Sequence, residues 1–244
     1  MLKEISLYKG VVKLSVDIDE EKHECFDCKG KKIEDSVTGA TGIIDKSGAL
    51  MGWVAKMMGL YLLAEKDKGN FQITEEMIDR AKREYRRLKT EAADLGTEIH
   101  KWTSDWIKGK NPAMPTDERV VNGITAFLKF QKEHKVKWLE SERIIYSKKH
   151  NYWGVLDAIG KIGKDLVLID FKSSSGIYPE MFIQTAGYQL AYEEETGKKI
   201  TKRMIVKFGK EDGKFEVREL DNGKEDQTAF VAALTLKRRI SEIK

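Results

Sequence analysis

Cysteine is scarce: the 244 residues contain two, Cys25 and Cys28, both in the segment HECFDCKG. A Cys-x-x-Cys pair beside His23 supplies half of a zinc site at most, and no second cysteine pair follows. Two thiolates alone cannot hold an iron–sulfur cluster of the ordinary four-cysteine kind. The simpler reading is a hairpin around Asp27–Gly30 that carries two thiols. No apolar run approaches the ~20 residues needed to span a bilayer. The N-terminal stretch MLKEISLYKGVVKLSVDIDE lacks the charged-then-apolar pattern of a signal peptide. These absences lead to the expectation of an intracellular, cytoplasmic protein without a membrane partner. An excess of one charge sign is missing too: Lys and Arg number 44 and Asp and Glu 40, a net charge of +4. That balance permits a nucleic-acid partner without arguing for one. No internal repeat and no low-complexity linker is visible.

What is present is a composition suited to a globular protein, 41% apolar and 34% charged, and long enough to bury one substantial core. The expected organisation is a single α/β domain: an N-terminal hairpin and helical region (1–91), a core (92–220) and a C-terminal helix (221–244). Residues 5–36 alternate as short strands do. The turn-rich SVTGATGIIDKSGAL leads into an apolar helix over Leu50–Ala64, in which Trp53, Met57 and Met58 are expected to pack in the core. Thr74 caps a mostly polar helix whose basic run (Lys82, Arg83, Arg86, Arg87, Lys89) is a solvated face or a phosphate contact. Gly96 is expected to break this helix or to admit another backbone. Ile99, Trp102 and Trp106 continue an apolar stripe with His100 beside it; by itself such a histidine is most often a structural residue. PAMPTD is a break, and a helix follows to about Lys135. Three strands then form a meander at about 137–147, 152–162 and 166–172. A helix with Pro179 in its first turn stops at Gly197, two strands flank Lys210–Gly213, and a final helix from about Gln227 carries Lys237, Arg238 and Arg239.

The chemistry concentrates between Trp153 and Tyr188. Gly163-Lys164-Asp165 separates two apolar, β-branched runs, a hairpin signature. A fold near residue 164 sets Asp157 about opposite Phe171, one residue out of register with Asp170, with the carboxylates roughly 4.5–7 Å apart at the backbone. Asp170 and Lys172 share a strand face. Gln184 and Tyr188, at i and i+4, share a helix face. Two aspartates on adjacent strands make a minimal cradle for a hard divalent cation of the kind that cleaves phosphodiesters, and the lysine can orient water and offset charge. The alternative is a buried Asp–Lys ion pair.

GVLDAIG, LIDFKSS and QTAGY, in that order, together with the upstream GTEIH, resemble the PD-(D/E)XK nuclease superfamily. The nearest branch is that of RecB-like exonucleases from recombination enzymes, phages and CRISPR-associated nucleases. The resemblance covers roughly residues 92–192, and more loosely SVTGATGIIDKSGAL. It implies a restriction-endonuclease-like core, with a central mixed sheet and flanking helices. It implies Asp157, Asp170 and Lys172 as the acid, acid and lysine of the motif, with Gln184 and Tyr188 contacting DNA or steadying the lysine. It implies His100, Asp157, Asp170 and the backbone carbonyl of Phe171 as ligands of Mg²⁺ or Mn²⁺. Glu142 stands where many relatives carry a glutamate, as a contact to a metal-bound water. Members with an iron–sulfur cluster carry four cysteines, and this chain has none after Cys28, so no cluster is expected. The implied activity is an exonuclease acting on single- or double-stranded DNA ends in recombination, repair or phage DNA processing, with a recombination, annealing or helicase partner, in the host cytoplasm if phage-encoded. A catalytically silent nucleic-acid-binding subunit on the same fold and a restriction-type endonuclease are the alternatives.

Overall fold

The computed structural model describes residues 2–18, 23–69, 72–221 and 223–243. Three short alternating segments near the N-terminus, Lys3–Leu7 (β1), Val12–Ile18 (β2) and His23–Asp27 (β3), pair antiparallel in the order β1-β2-β3. Their apolar side chains gather Leu7, Leu14, Val16 and Cys25 on one face, closed by Ile33 and Trp153. The expected hairpin is thus part of a three-stranded sheet. The link after it is more ordered than its glycines suggest. Ser36 accepts a hydrogen bond from the Gly39 amide and caps a short helix, Val37–Thr41 (α1).

Five strands form the central sheet: Lys137–Ser147 (β4), Tyr152–Ile162 (β5), Asp165–Lys172 (β6), Lys202–Phe208 (β7) and Phe215–Leu220 (β8), in that spatial order. All neighbours are antiparallel except β6 and β7, which are parallel. A parallel pair needs a crossover, and the helix Pro179–Thr196 (α5) supplies it, ending at Gly197 with φ +69. The mixed sheet, the three-strand meander and the flanking helices agree with the fold class expected from the sequence.

Each sheet face buries its own cluster. Phe171 and Phe208 meet Phe127 of the helix Glu118–Glu133 (α4), capped by the Asp117 carboxylate, with Trp138 stacked on Phe127 at 5.7 Å. On the other face α5 and the helix Lys224–Glu242 (α6) enclose Tyr152, Leu168, Tyr188, Tyr192 and Phe230. Fully buried Arg203 reaches from β7 to the Phe182 carbonyl at 2.9 Å and to the Asp226 carboxylate at 2.5 Å, fastening both helices. Asp35 holds Lys237 at 2.7 Å and Arg238 at 2.6 Å, which gives two of the three C-terminal basic residues a structural task.

The chain divides into two compact units, Met1–Ile44 with Ile99–Lys244, and Asp45–Glu98. Within the second lies an apolar helix, Ser47–Asp67 (α2), and the larger part of a 33-residue helix, Glu75–Ile107 (α3), capped by Thr74. Three expectations need correcting. Gly96 does not break α3, because residues on both sides keep the helical ladder. Trp53, Met57 and Met58 are half-buried, not core, and Leu50, Met51, Leu60 and Leu63 are exposed. And α2, at 21 residues, is long and apolar enough to cross a membrane by length and composition, a length hidden by the single lysine, Lys56, that interrupts its apolar run. The basic run on α3 is laced with ion pairs one turn apart, among them Arg87 with Glu84 and Glu91, as on a solvated face.

Gly187 tests the tightness of the α5–α6 seam. A β-carbon there would lie 2.5 Å from the Phe230 ring, and the backbone cannot retreat easily because Tyr152 Oη donates to the Gly187 carbonyl at 2.7 Å. Gly187→Ala should lower stability by about 1–3 kcal/mol. Gly59→Ala in α2, where the same atom meets open space, should raise it by up to ~1 kcal/mol. Thermal melts of both variants check the pair, and equal shifts would contradict the packing.

Candidate active site

The β5–β6 hairpin closes with Ile162 opposite Asp165, so its loop is two residues, Gly163 and Lys164, with Gly163 at φ +60. That register makes Ala158↔Ile169 the last ladder pair and brings Asp157 beside Asp170, not beside Phe171. The sequence-based register was off by one because it counted a three-residue turn. The regular alternation of β5 also breaks here. Leu156 and Ile159 both enter the core under α5, which an unbroken strand forbids. Across the β4 ladder the matching irregularity is Glu142, at φ +50 between the pairs Ser141↔Ala158 and Arg143↔Leu156. A strained residue beside a clustered polar group is a common mark of a functional site.

The consequence is a compact polar group. Asp157 Oδ2 accepts the Phe171 N–H at 2.7 Å, and Asp157 Oδ1 lies 3.8 Å from His100 Nδ1. The His100 ring meets the Phe171 ring edge-on, with centroids 6.3 Å apart. Lys172 Nζ sits 2.6 Å from Asp170 Oδ2. Exposure grades outward: Asp170 is 1% exposed, while the side chains of Lys172, Asp157 and His100 are 19%, 22% and 33% exposed. On α5, Gln184 Nε2 donates to Tyr188 Oη at 2.9 Å.

Burial pushes the Asp170 carboxyl up to about 6; Lys172 pulls it down, and the Asp157 charge adds to the rise. For Lys172 burial disfavours the charge, but Asp170 and Asp157 outweigh it, so the ammonium is held above its ordinary value. A lysine so placed is a cation and hydrogen-bond donor at neutral pH, not a base. Tyr188 is raised well above its ordinary value by burial and by the charges of Asp170 and Asp157, so its hydroxyl keeps its proton.

Asp170 Oδ2 is buried and in ionic contact with the Lys172 ammonium, and the Asp157 carboxylate is close enough to act on the same group. Two neighbouring carboxylates with burial around them and a single ammonium between them leave room for a further positive group. Among the described residues no three His, Cys, Asp or Glu side chains stand close enough together to hold a metal ion by themselves. Asp157 and Asp170 nevertheless supply hard oxygen donors of the kind Mg²⁺ and Mn²⁺ take. Mg²⁺ takes one or two carboxylates and keeps its waters, and an imidazole at the rim is compatible with Mn²⁺. The donors present fit such an ion.

Not every residue expected in the site joins it. Glu142 is half-exposed and its carboxylate accepts Lys108 Nζ at 2.6 Å. Phe171 enters through its N–H and its ring. Trp102 and Trp106 stack on each other at 5.2 Å and donate to Ala113 and Gln131, which makes them packing residues, whereas Tyr178 is 40% exposed. Cys25 is buried in the N-terminal core, which pushes its thiol up to about 12, and Cys28 is exposed; both are free thiols. Sequence reasoning missed Lys207, the ladder partner of Lys172 on β7. Its one signal was a lysine near the end of an otherwise apolar strand.

A scan against protein-family models finds no match, and neither does a search of curated proteins. Among solved structures the chain is similar to the alkaline exonuclease LHK-Exo from Laribacter hongkongensis, at 14% identity and a TM-score of 0.39, over 87% of this chain and 95% of that one. It is also similar to a candidate exonuclease from Eubacterium rectale, at 13% identity and a TM-score of 0.44, over 84% and 78% of the two chains. At such scores the functional reading rests on the chain's own side chains.

The Asp170 carboxyl gives a pH signature without any ion. Its folded-state value lies above the unfolded one, so its contribution to stability is present below about pH 4 and is lost as pH rises through about 6. In EDTA, Asp170→Asn should therefore gain stability relative to the parent over that window, by roughly 2–3 kcal/mol at the upper end. Urea denaturation at a series of pH values measures the difference. A gap that is flat with pH would mean that Asp170 is not perturbed.

Proposed function

We propose that the chain is a Mg²⁺- or Mn²⁺-dependent deoxyribonuclease of the PD-(D/E)XK type, most closely allied to the RecB-like exonucleases, acting at DNA ends in recombination, repair or phage DNA processing inside the cell. The observation that carries this reading is the set Asp157, Asp170 and Lys172, brought together on two adjacent strands with the buried Asp170 carboxylate in ionic contact with Lys172. In this proposal His100, Asp157, Asp170 and the Phe171 carbonyl hold the ion. When bound, it would supply a Lewis acid for the phosphate oxygens and lower the pKa of an attached water.

The protein's own contributions follow from the geometry. The Phe171 amide fixes one Asp157 oxygen and leaves the other directed toward His100. Lys172, kept protonated by two carboxylates, donates to the attacking water or to a non-bridging phosphate oxygen and offsets the charge that grows in the transition state. Gln184 and Tyr188, bonded to each other, present a neutral hydrogen-bonding edge beside the carboxylates without adding charge. DNA at its ends is the proposed substrate, and a helicase or strand-annealing protein the proposed type of partner.

End-labelled single- and double-stranded DNA incubated with Mg²⁺ or Mn²⁺ tests the reading. Degradation should require the metal. Asp157→Ala, Asp170→Ala and Lys172→Ala should each slow it by about 10²-fold or more. Linear DNA should be degraded and covalently closed circles spared. Full activity of Asp170→Ala and Lys172→Ala would sink the site assignment, cutting of closed circles would favour the restriction-type alternative, and metal-independent silence with retained DNA binding would favour the non-catalytic one.

A further inference from the structure

The parallel ladder pairs Lys172 with Lys207, and the antiparallel ladder beyond it pairs Lys207 with Glu216 and Ile205 with Arg218. Residues paired across strands project from the same face, and alternation adds Asp170 and Arg218 to that face. A row of charge therefore leaves the buried carboxylates and runs across the end of the sheet: Asp170, Lys172, Lys207, then Glu216 and Arg218 on β8. It lies on the face that α5 covers, since Lys207 Nζ contacts the Ser175 carbonyl at 3.4 Å, in the loop that joins Lys172 to that helix.

The end of β7 is apolar apart from Lys207. This lysine follows Met204, Ile205 and Val206 and precedes Phe208, all buried, and its own side chain is 22% exposed. Its counterion is Glu216, 3.0 Å away and nearly half exposed, and Arg218, at 63% exposed, shares the same carboxylate at 3.5 Å. Two cations on one solvated carboxylate leave a positive surplus. Solvent-exposed pairs of this kind contribute little to stability, so an incoming phosphate displaces them at little loss. Neighbouring strands are about 4.8 Å apart, which sets Lys207 one step, and the β8 pair two steps, from the catalytic lysine, the graded spacing that a polyanionic strand can follow.

We propose that Lys207 and Arg218 form a phosphate-binding track that holds the nucleic-acid strand flanking the scissile phosphate and directs it from Lys172 toward β8. Lys207 is the inner contact, with a stem held against the sheet, and Arg218 the outer one. Glu216 is the internal anion that occupies the track in the absence of nucleic acid. The inference rests on the nuclease reading and extends it to the path of the substrate.

Binding of an end-labelled oligonucleotide to the full chain, with Ca²⁺ replacing Mg²⁺ to suppress cleavage, is measured between about 50 and 200 mM salt. Lys207→Gln and Arg218→Gln should each weaken binding several-fold and reduce the slope of log affinity against log salt by roughly 0.7–0.9. Lys207→Arg should restore the slope, and Lys13→Gln on β2 should leave it unchanged. In Mg²⁺, KM should rise several-fold with kcat within about twofold, the pattern of lost uniform binding. Slopes and KM unchanged in both variants, while the parent binds and cleaves DNA, would overturn the track alone. A parent chain that neither binds nor cleaves DNA would overturn the nuclease reading and the track with it. A Lys207→Gln defect confined to kcat, with an unaltered salt slope, would reduce Lys207 to a support for the Ser175 loop and refute the proposal.

Discussion

Strand β6 has an antiparallel neighbour on one side and a parallel neighbour on the other, and most of the architecture is a response to that asymmetry. The antiparallel side needs a two-residue loop, which brings Asp157 back beside Asp170. The parallel side forbids a short return and demands a crossover long enough to span the sheet. The crossover is α5, so the helix that the topology requires is also the helix that carries Gln184 and Tyr188 over the carboxylates. The two-residue loop enters β6 at its amino end and the crossover leaves from its carboxyl end, so Asp170 and Lys172 sit where the chain departs toward α5.

At that point the chain accepts an unfavourable arrangement. Asp170 is a carboxylate buried beside a second one, Glu142 is held at positive φ nearby, and β5 loses its alternation beside Asp157. None of these stabilises the fold; each is tolerated because the aromatic cluster on one sheet face and the Tyr152–Tyr188–Phe230 cluster on the other are tight. Rigid surroundings let a functional group remain in a state that it would otherwise relax out of.

Local physics made much of the fold legible. Apolar runs bounded by turn residues located β4, β5, β6, β7 and β8, the side chains of Thr74 and Asp117 marked helix starts, and Gly197 marked a helix end. What failed was non-local or depended on a single residue. The Asp157–Asp170 register turned on whether the loop held two residues or three. Lys207 became visible only when β7 was laid parallel to β6, a pairing set by an intervening helix and not by any nearby residue. Glu142 was placed on the right strand, but its alliance with Lys108, 34 residues away in the chain, could not be read from β4. For Gly96 the helix-break alternative fails, because the long helix carries the glycine through its ladder.

The close of the α5–α6 seam also sets an order of events during synthesis. Tyr188 packs in a cluster completed by Phe230 and Leu234, and α6 is fastened through Lys237 and Arg238 to Asp35, about two hundred residues earlier. A chain emerging from the ribosome can pair β5 with β6 as soon as both are made, yet the helix above the carboxylates has no far wall until α6 follows. The polar group and its lid are therefore assembled in separate stages. Between them the nascent chain carries two exposed acids and an unroofed apolar sheet, a state in which it must be spared from aggregation before it can bind anything.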